Sequence, residues 1–478
     1  MLVPTRWRSP AAGMLAAILT AALYSVGWQR PFSWDASNTV GHFVVTPSLL
    51  DPFRRQMAYN NHVLFSGIEH VVYNITGSSD ERLLRVAPIV FAALAVGLLV
   101  AAVHRRMGWA AALSAGVCMA TNGLALREFR EVRGYGLLVL CAVVSALILR
   151  SGWATSPASA MISRRRWALG SCYGAVIAVA VATHLYGLLV LTIEGVAVCR
   201  NIVTLKRFIP VGVVAAAIGL AVSWIPVMDE IRRPSRRLFR PVFPLQVGYD
   251  LIGGRPLTFL LLLPVVVVGA GIAWRSPSLL HLHRAAFLTL AVVVILWVAA
   301  PAALATRFFI WVLPASAAAV AVAVRRRPVL VYFVLAVAAT QVASDWSRLH
   351  QGQVPNRIAA EILRASRDAG LTGCAIRTTG TITLAAYYTG ERVVRSPSDL
   401  DGCDVVVAAA ANFDGDLNAA ARQRFPTRFV LAAQEPGMVY FAGPAAVAAV
   451  QARLFPAIVD GPGVSPSTSL GWQHGARE

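Results

Sequence analysis

The chain has 478 residues, of which 57% are hydrophobic and only 14% are charged, against about 25% charged residues in an average soluble domain. This composition excludes a soluble globular protein for most of its length. The net charge of +20 comes almost entirely from arginine, since Lys206 is the only lysine. No nucleic-acid-binding motif accompanies that charge, so we expect anionic lipid headgroups or phosphates as partners and no nucleic acid.

Apolar runs long enough to cross a lipid bilayer as helices recur between Ala11 and Ser344. They predict about eleven transmembrane helices, over residues 11–28, 86–103, 109–125, 135–150, 168–183, 186–200, 208–226, 257–274, 286–303, 308–324 and 329–344. Arginine-rich short loops alternate with the other loops. The positive-inside rule then predicts a multi-pass plasma-membrane protein with a cytoplasmic N-terminus and an external or periplasmic C-terminal domain.

The predicted transmembrane domain, residues 1–344, contains two external segments that are too long for simple turns. They cover residues 29–85 and 227–256, and the second is rich in arginine. Because short external loops normally avoid positive charge, we expect this charge to have a function. Within the first segment, residues 60–77 have an apolar face at helical spacing interrupted by Asn, His and Glu, which favours a helix lying along the membrane interface.

The sequence from residue 345 to residue 478 has the composition of a small soluble α/β domain, with a tail from about residue 460 predicted to be disordered. An amphipathic helix is expected over 357–370, and three strand-like runs follow it. Cys374 and Cys403 stand at or near the starts of two of these runs. If the two strands are parallel neighbours, a disulfide is geometrically possible and would persist in an external compartment; two unpaired thiols are the alternative.

Asp35 is the first candidate for chemistry, because it lies just beyond the first predicted helix, beside Trp34 and Phe32. A carboxylate at this surface could take a proton from an acceptor hydroxyl. An ordinary solvated aspartate or a helix N-cap is the alternative interpretation.

A second candidate is the charged segment REFREVRGYG at 127–136. It carries Glu128, Arg130, Glu131 and Arg133 between the third and fourth predicted helices. Charges near membrane depth are costly unless they are paired or functional. A short helical turn would pair Arg130 or Arg133 with carboxylates and leave others facing a cavity; a solvated helix end is the alternative.

Arg307, at the outer end of the tenth predicted span, is the third candidate. A guanidinium there can hold a phosphate through two hydrogen bonds, although an interfacial arginine can also simply reach toward water. His62, His184 and the pair His281/His283 are weaker candidates. No set of His, Cys and Asp has metal-ligand spacing, so a metal site is not predicted.

Taken in order, these segments resemble the bacterial branch of the GT-C glycosyltransferases, which includes protein O-mannosyltransferases and lipid A aminoarabinose transferases. The matching residues run over about the first 340 positions, and they are Asp35, NNHVLF (60–65), GSSDERLLRVAPIVFAAL (77–94), REVRGYGLL (130–138) and RFFIWVLP (307–314). The resemblance implies a polytopic GT-C-like helical fold. This chain departs from its relatives at Val63, where they usually have proline, and in having one acidic residue after Trp34.

The resemblance also implies an inverting transfer of sugar from a polyprenyl-phosphate donor to a lipid, glycan or protein acceptor in the cell envelope. Asp35 would then be the base, Glu131 and Arg133 would shape the pocket, and Arg307 would hold the phosphate. The remaining expected substrate-binding residues are His62, Glu128, Arg130 and Tyr135. The reaction would work with or without a divalent cation, because a sugar phosphate already has a good leaving group.

Two other functions fit the same features. A transporter or flippase of lipid-linked sugars would use the arginines only to bind the headgroup, although we find no internal repeat of the kind that transporters often show. A non-catalytic scaffold for cell-wall assembly would not need a carboxylate–arginine cluster at the membrane surface. Mannose, arabinofuranose and glucose donors are all compatible with the sequence.

Overall fold

A computed structural model describes residues 5–28, 32–54, 62–151, 163–198, 202–225, 228, 243–275, 291, 294–295, 306–351, 354–376, 392–394, 396–409, 420–421, 423–425, 427–431, 437–454 and 472–474. The chain forms two compact units. The first comprises Met1–Trp28, Ser48–Val71 and Arg85–Leu349. The second comprises Gln29–Pro47, Val72–Leu84 and His350–Glu478.

The chain is mostly helical. In chain order its helices are α1 (Thr5–Ser25), α2 (Trp34–Thr39), α3 (Asp51–Arg54), α4 (Val63–Thr76), α5 (Glu81–Met107), α6 (Trp109–Ala120), α7 (Gly123–Glu128), α8 (Tyr135–Arg150), α9 (Ser163–Thr183), α10 (Gly187–Val198), α11 (Ile202–Val222), α12 (Phe243–Ile252), α13 (Pro256–Trp274), α14 (Leu313–Arg326), α15 (Leu330–Gln351), α16 (Val354–Asp368) and α17 (Pro444–Leu454). A π-helical turn, Val40–Val44, continues α2, and a 3₁₀ helix, Thr306–Val312, leads into α14.

Among the described residues, five helical segments are long and apolar enough to cross a membrane: Glu81–Met107, Arg164–Thr183, Leu205–Val222, Pro256–Ala273 and Thr306–Arg326. Shorter apolar helices cover Trp109–Ala120, Tyr135–Arg150, Gly187–Val196 and Leu330–Trp346. Every predicted span contains a described helix except 286–303, which lies almost entirely outside the described residues. The protein is therefore a multi-pass membrane protein, as its composition predicts.

Glycine allows several membrane helices to approach closely. A Cβ atom built on Gly13 of α1 would lie 2.6 Å from the carbonyl oxygen of Gly97 in α5. A Cβ on Gly269 of α13 would clash with the carbonyl oxygen of Ala319 in α14. Membrane helices associate largely through such packing, since lipid tails are as apolar as their side chains.

We expect Gly269→Ala to destabilise the protein, because the added methyl group cannot fit without moving α13 away from α14. Overpacking of this kind costs about 1–3 kcal/mol. Gly271→Ala is the matched control, since a Cβ there meets nothing within 4 Å. The thermal midpoint of unfolding in detergent should fall for the first variant only; equal midpoints would show that the two helices separate freely.

The second unit contains a six-stranded mixed sheet in the order β2-β1-β3-β5-β4-β6. Its strands are β1 (Gly373–Ile376), β2 (Arg392–Val394), β3 (Val405–Ala409), β4 (Thr427–Leu431), β5 (Gly437–Phe441) and β6 (Trp472–His474). β1 runs parallel to β2 and β3, and the remaining pairs are antiparallel. The small C-terminal sheet is as predicted, and β6 lies in the tail that the sequence predicts to be disordered.

Cys374 and Cys403 form a disulfide, with Cα atoms 5.9 Å apart. The parallel pairing that makes this bond possible is present, since Cys374 on β1 lies opposite Val406 on β3. The bond closes a loop over a sequence separation of 29 residues, which stabilises the folded domain by about 3.6 kcal/mol in the chain-entropy model.

An ion pair joins two distant segments of the second unit. Arg364 Nη2 on α16 lies 2.8 Å from Oε1 of Glu81, the first residue of α5. The Glu81 side chain is buried, whereas that of Arg364 is one-third exposed. This contact joins α16 to the segment Val72–Leu84 within the second unit.

Candidate functional site

Seven side chains from four segments of the first unit meet in one group, which we call the aromatic–arginine cluster. The segments are the residue before α4, the start of α8, the loop between α9 and α10, and the 3₁₀ helix before α14. The cluster consists of His62, Arg133, Tyr135, His184, Tyr186, Arg307 and Phe308.

A glycine allows the segments of the cluster to come together. Gly134 precedes α8, and a Cβ atom on it would lie 2.5 Å from Cγ2 of Thr183 and 3.1 Å from Nδ1 of His62. Upstream, the Asn122 side chain caps α7 by accepting hydrogen bonds from the backbone N–H groups of Leu124 and Ala125. The stretch from Asn122 to Gly134 is therefore held at its start by the cap of α7 and closely packed at its end.

Arg133 and His62 form the centre of the cluster. Nε of Arg133 donates a hydrogen bond of 3.2 Å to Nε2 of His62, and both side chains are buried. The guanidinium carbon of Arg133 also lies 4.9 Å from the ring centroid of Tyr135, a distance suited to cation–π attraction. The His62 ring meets the Tyr135 ring edge-on, with 4.7 Å between centroids.

His184 extends the cluster toward Arg307. Its ring centroid lies 5.0 Å from that of His62 and 5.3 Å from that of Phe308. Its Nδ1 accepts a 3.2 Å hydrogen bond from the backbone N–H of Tyr186, whose ring also packs against Phe308. The guanidinium carbon of Arg307 lies 6.0 Å from the Phe308 ring centroid.

Burial and the nearby arginines keep the two histidines neutral. Burial lowers the pKa of His62 well below its usual value, and Arg133, His184 and Arg307 lower it further. Burial, Arg133 and Arg307 lower the pKa of His184 to about 3. At pH 7 the positive charge of the cluster therefore lies on Arg133 and Arg307, whereas the histidines contribute hydrogen-bonding groups.

Because the pKa of His184 is depressed in the folded chain, we expect the stability of the protein to depend on pH. The unfolded chain binds a proton near pH 6.5, whereas the folded chain does so only near pH 3, so acidification through this window favours unfolding. His184→Asn retains an acceptor for the Tyr186 N–H. The thermal midpoint of unfolding of this variant should fall less than that of the wild type between pH 7 and pH 5. If both midpoints fall equally over this range, His184 is not a buried neutral histidine.

Two of the charged residues predicted to bind substrate make other contacts. Glu128 pairs with Arg127 rather than with Arg130 or Arg133, with 2.9 Å between Nε of Arg127 and Oε1 of Glu128. Nε and Nη2 of Arg130 donate to the backbone carbonyls of Tyr24 and Val26. Since these carbonyls lie at and beyond the end of α1, Arg130 anchors that helix end, and substrate binding by Glu128 and Arg130 stays a prediction.

The two proposed catalytic carboxylates lie in different units. Glu131 is buried in the first unit, between α7 and α8. Asp35 lies in the second unit, in the first turn of α2, and its side chain is half-buried. The Thr39 hydroxyl donates a 3.0 Å hydrogen bond to the backbone carbonyl of Asp35, which holds this short helix together. Their catalytic roles stay predictions.

The structure points to three residues that the sequence does not identify as strong candidates for a functional role. His184 was a weak candidate, and Tyr186 and Glu69 were not singled out. The tetrapeptide HLYG (184–187), which places a histidine and a tyrosine between two apolar helices, is the signal that could have identified the first two. No group of three or more His, Cys, Asp or Glu side chains in the described part of the chain could hold a metal ion.

Comparison with known proteins identifies relatives by structure alone. No family model matches the sequence, and neither does any curated protein. ArnT from Cupriavidus metallidurans in the apo state aligns over 91% of this chain and 98% of its own, with a TM-score of 0.59 and 12% identity. ArnT bound to undecaprenyl phosphate aligns over the same shares, with a TM-score of 0.60 and 13% identity.

The Archaeoglobus fulgidus oligosaccharyltransferase in the apo form aligns over 89% of this chain and 73% of its own, with a TM-score of 0.50 and 12% identity. These alignments cover about nine-tenths of this chain. They confirm, at the level of the fold, the resemblance drawn from the sequence. The chain is a multi-pass membrane protein with the fold of the GT-C glycosyltransferases.

Proposed function

We propose that the protein transfers a sugar from a polyprenyl-phosphate donor to an acceptor in the cell envelope. The observation that supports this most strongly is the aromatic–arginine cluster, in which Arg133 and Arg307 approach the same two neutral histidines. Guanidinium groups bind phosphate oxygens through paired hydrogen bonds. ArnT, which has the same fold, has been solved with undecaprenyl phosphate bound.

The cluster suits a lipid phosphate that leaves a sugar. Arg133 and Arg307 would stabilise the charge that develops on the departing phosphate, and Tyr135 and Phe308 would surround it with aromatic rings that exclude water. His62 would remain a neutral hydrogen-bonding group close to Arg133. Because a phosphate is a good leaving group, no further electrophilic catalyst is needed in principle.

The remaining steps require a base and an enclosed pocket. Asp35 would deprotonate the acceptor hydroxyl. The hydroxyl oxygen would then attack the anomeric carbon from the side opposite the phosphate, so that the bond to the phosphate breaks and the configuration at that carbon is inverted. Glu131 would help to shape the pocket. The arginine-rich loops support placing this chemistry on the outer face of the membrane, with the domain from residue 345 onward outside the cell.

Donor consumption by purified full-length protein tests this function. The protein, in detergent, is incubated with polyprenyl phosphates that carry radiolabelled mannose, glucose or arabinofuranose, together with a cell-envelope extract as acceptor. We expect at least one donor to be converted into polyprenyl phosphate and a labelled acceptor. If proteoliposomes instead move an intact donor between leaflets without consuming any, the protein is a flippase.

A further inference from the structure

Helix α4 and the residue just before it carry a stripe of polar side chains in the interior of the protein. His62, Ser66 and Glu69 are spaced by four and three residues, which places them on one face of the helix. His62 is 1% exposed, and Ser66 and Glu69 are 0% exposed. We call these three residues the α4 stripe.

Four hydrogen-bonding atoms of the α4 stripe have no partner among the described residues. Nδ1 of His62, Oγ of Ser66 and both carboxyl oxygens of Glu69 have no hydrogen-bond partner within the described part of the chain. Buried polar groups in folded proteins nearly always have a partner, because leaving one unpaired costs folding free energy. Four such atoms on one helix face therefore indicate an occupant, either ordered water or a ligand.

The α4 stripe is electrically neutral, which restricts the chemistry of that occupant. Burial raises the pKa of Glu69 well above its usual value, which favours the neutral carboxyl group. His62 is neutral as well, and serine carries no charge. Neutral donors and acceptors side by side suit hydroxyl groups, each of which donates and accepts, better than a metal cation or an anion.

We propose that the α4 stripe binds the hydroxyl groups of the donor sugar. This inference rests on the proposed function, since His62 belongs to both the stripe and the aromatic–arginine cluster. A phosphate beside Arg133 would place the attached sugar next to His62. From there Glu69 lies seven residues along the helix, about 10 Å at 1.5 Å per residue, so Ser66 and Glu69 continue in line with the sugar.

Lipid binding by full-length protein in nanodiscs tests the proposal. The probes are undecaprenyl phosphate without sugar and polyprenyl phosphates carrying mannose, glucose or arabinofuranose. We expect the wild type to bind at least one sugar-bearing lipid more tightly than the sugar-free lipid. Ser66→Ala and Glu69→Met should each reduce this preference roughly twofold to tenfold, the effect of one lost neutral hydrogen bond, and leave affinity for the sugar-free lipid within about twofold.

Two further variants separate binding from structure. Glu69→Gln keeps a neutral group that donates and accepts, so it should retain most of the sugar preference that Glu69→Met loses. Glu69→Met should raise the thermal midpoint of the unliganded protein, because it removes an unpaired buried polar group. Thr76→Ala is the matched control for Ser66→Ala, since the Thr76 hydroxyl is exposed and its hydrogen bonds among the described residues are to backbone groups of its own segment.

The outcomes distinguish this inference from the proposed function. If the wild type binds sugar-free lipid but gains nothing from any sugar, the stripe holds only water and the inference fails while the phosphate site stands. If Glu69→Met lowers the thermal midpoint and weakens both classes of lipid equally, the stripe is structural. Failure of the wild type to bind any of the lipids would overturn the proposed function, and this inference with it.

Discussion

Replacing Asp35 with asparagine is expected to lower sugar transfer at least about 100-fold, the usual contribution of a general base, while the protein stays folded and binds donor. The substitution keeps the size of the side chain and removes only its ability to take a proton. Asp35 lies in the first turn of α2 with a half-buried side chain. Its backbone carbonyl, which accepts from the Thr39 hydroxyl, is retained in the variant, so α2 should persist.

Asp51→Asn is the matched control. Asp51 is another half-buried aspartate in the first turn of a short helix, α3, and we assign it no catalytic role. Turnover of radiolabelled donor by the two variants gives the comparison. An Asp35→Asn protein that keeps more than about a tenth of wild-type turnover, well above what loss of a general base allows, would mean that another group deprotonates the acceptor.

Arg307→Ala is expected to weaken use of the donor chiefly through its phosphate. A hydrogen bond to a charged group contributes about 1.5–3 kcal/mol, so kcat/KM for the donor should fall by roughly 10-fold to 150-fold. Arg307 is half-buried, and its positive charge contributes to the depressed pKa of both His62 and His184. A donor with a shortened prenyl chain should show the same defect, since the lost contact is with the phosphate.

Arg236→Ala and Arg237→Ala are the comparisons for Arg307. Both residues belong to the arginine-rich external segment and lie outside the described residues. Arg307→Lys adds a further test, because lysine keeps the charge but loses the planar fork that binds two phosphate oxygens. Equal losses in all the alanine variants would indicate general electrostatic attraction of the lipid and would remove the specific phosphate role.

The architecture could be predicted from the sequence because its signals are strong and local. A run of apolar residues such as those of α5 or α13 has one stable arrangement in a bilayer, since a helix satisfies its own backbone groups. The strand-like runs after residue 370 predict a small sheet, which the structure contains. The disulfide between Cys374 and Cys403 depended on a parallel pairing that the sequence left open and that β1 and β3 make. The helix ends were less predictable, as α1 begins at Thr5.

The contacts of the charged segment could not be predicted in the same way. A short helical turn predicts that Arg130 or Arg133 pairs with carboxylates. Helix α7 ends at Glu128, and the Glu128 carboxylate pairs with Arg127. Arg130 instead donates to carbonyls at the end of α1, more than a hundred positions earlier in the chain. Only the tertiary fold brings those groups together.

The aromatic–arginine cluster could not be predicted from the sequence either. His62, Arg133, His184 and Arg307 are separated by dozens of residues, so their proximity depends on how the helices pack. The sequence does not single out Glu69 for a different reason, because one acidic residue in an amphipathic helix is usually exposed at an interface. Its complete burial became visible only in the folded chain.

The most direct test of this account is a cryo-electron microscopy map of the full-length protein with undecaprenyl phosphate. We predict density for the phosphate within hydrogen-bonding distance of the Arg133 and Arg307 guanidinium groups, next to the Tyr135 and Phe308 rings. The same map of Arg307→Ala should show weaker phosphate density or none. Phosphate density elsewhere in the protein, with the aromatic–arginine cluster closed around its own side chains, would contradict the proposed donor site.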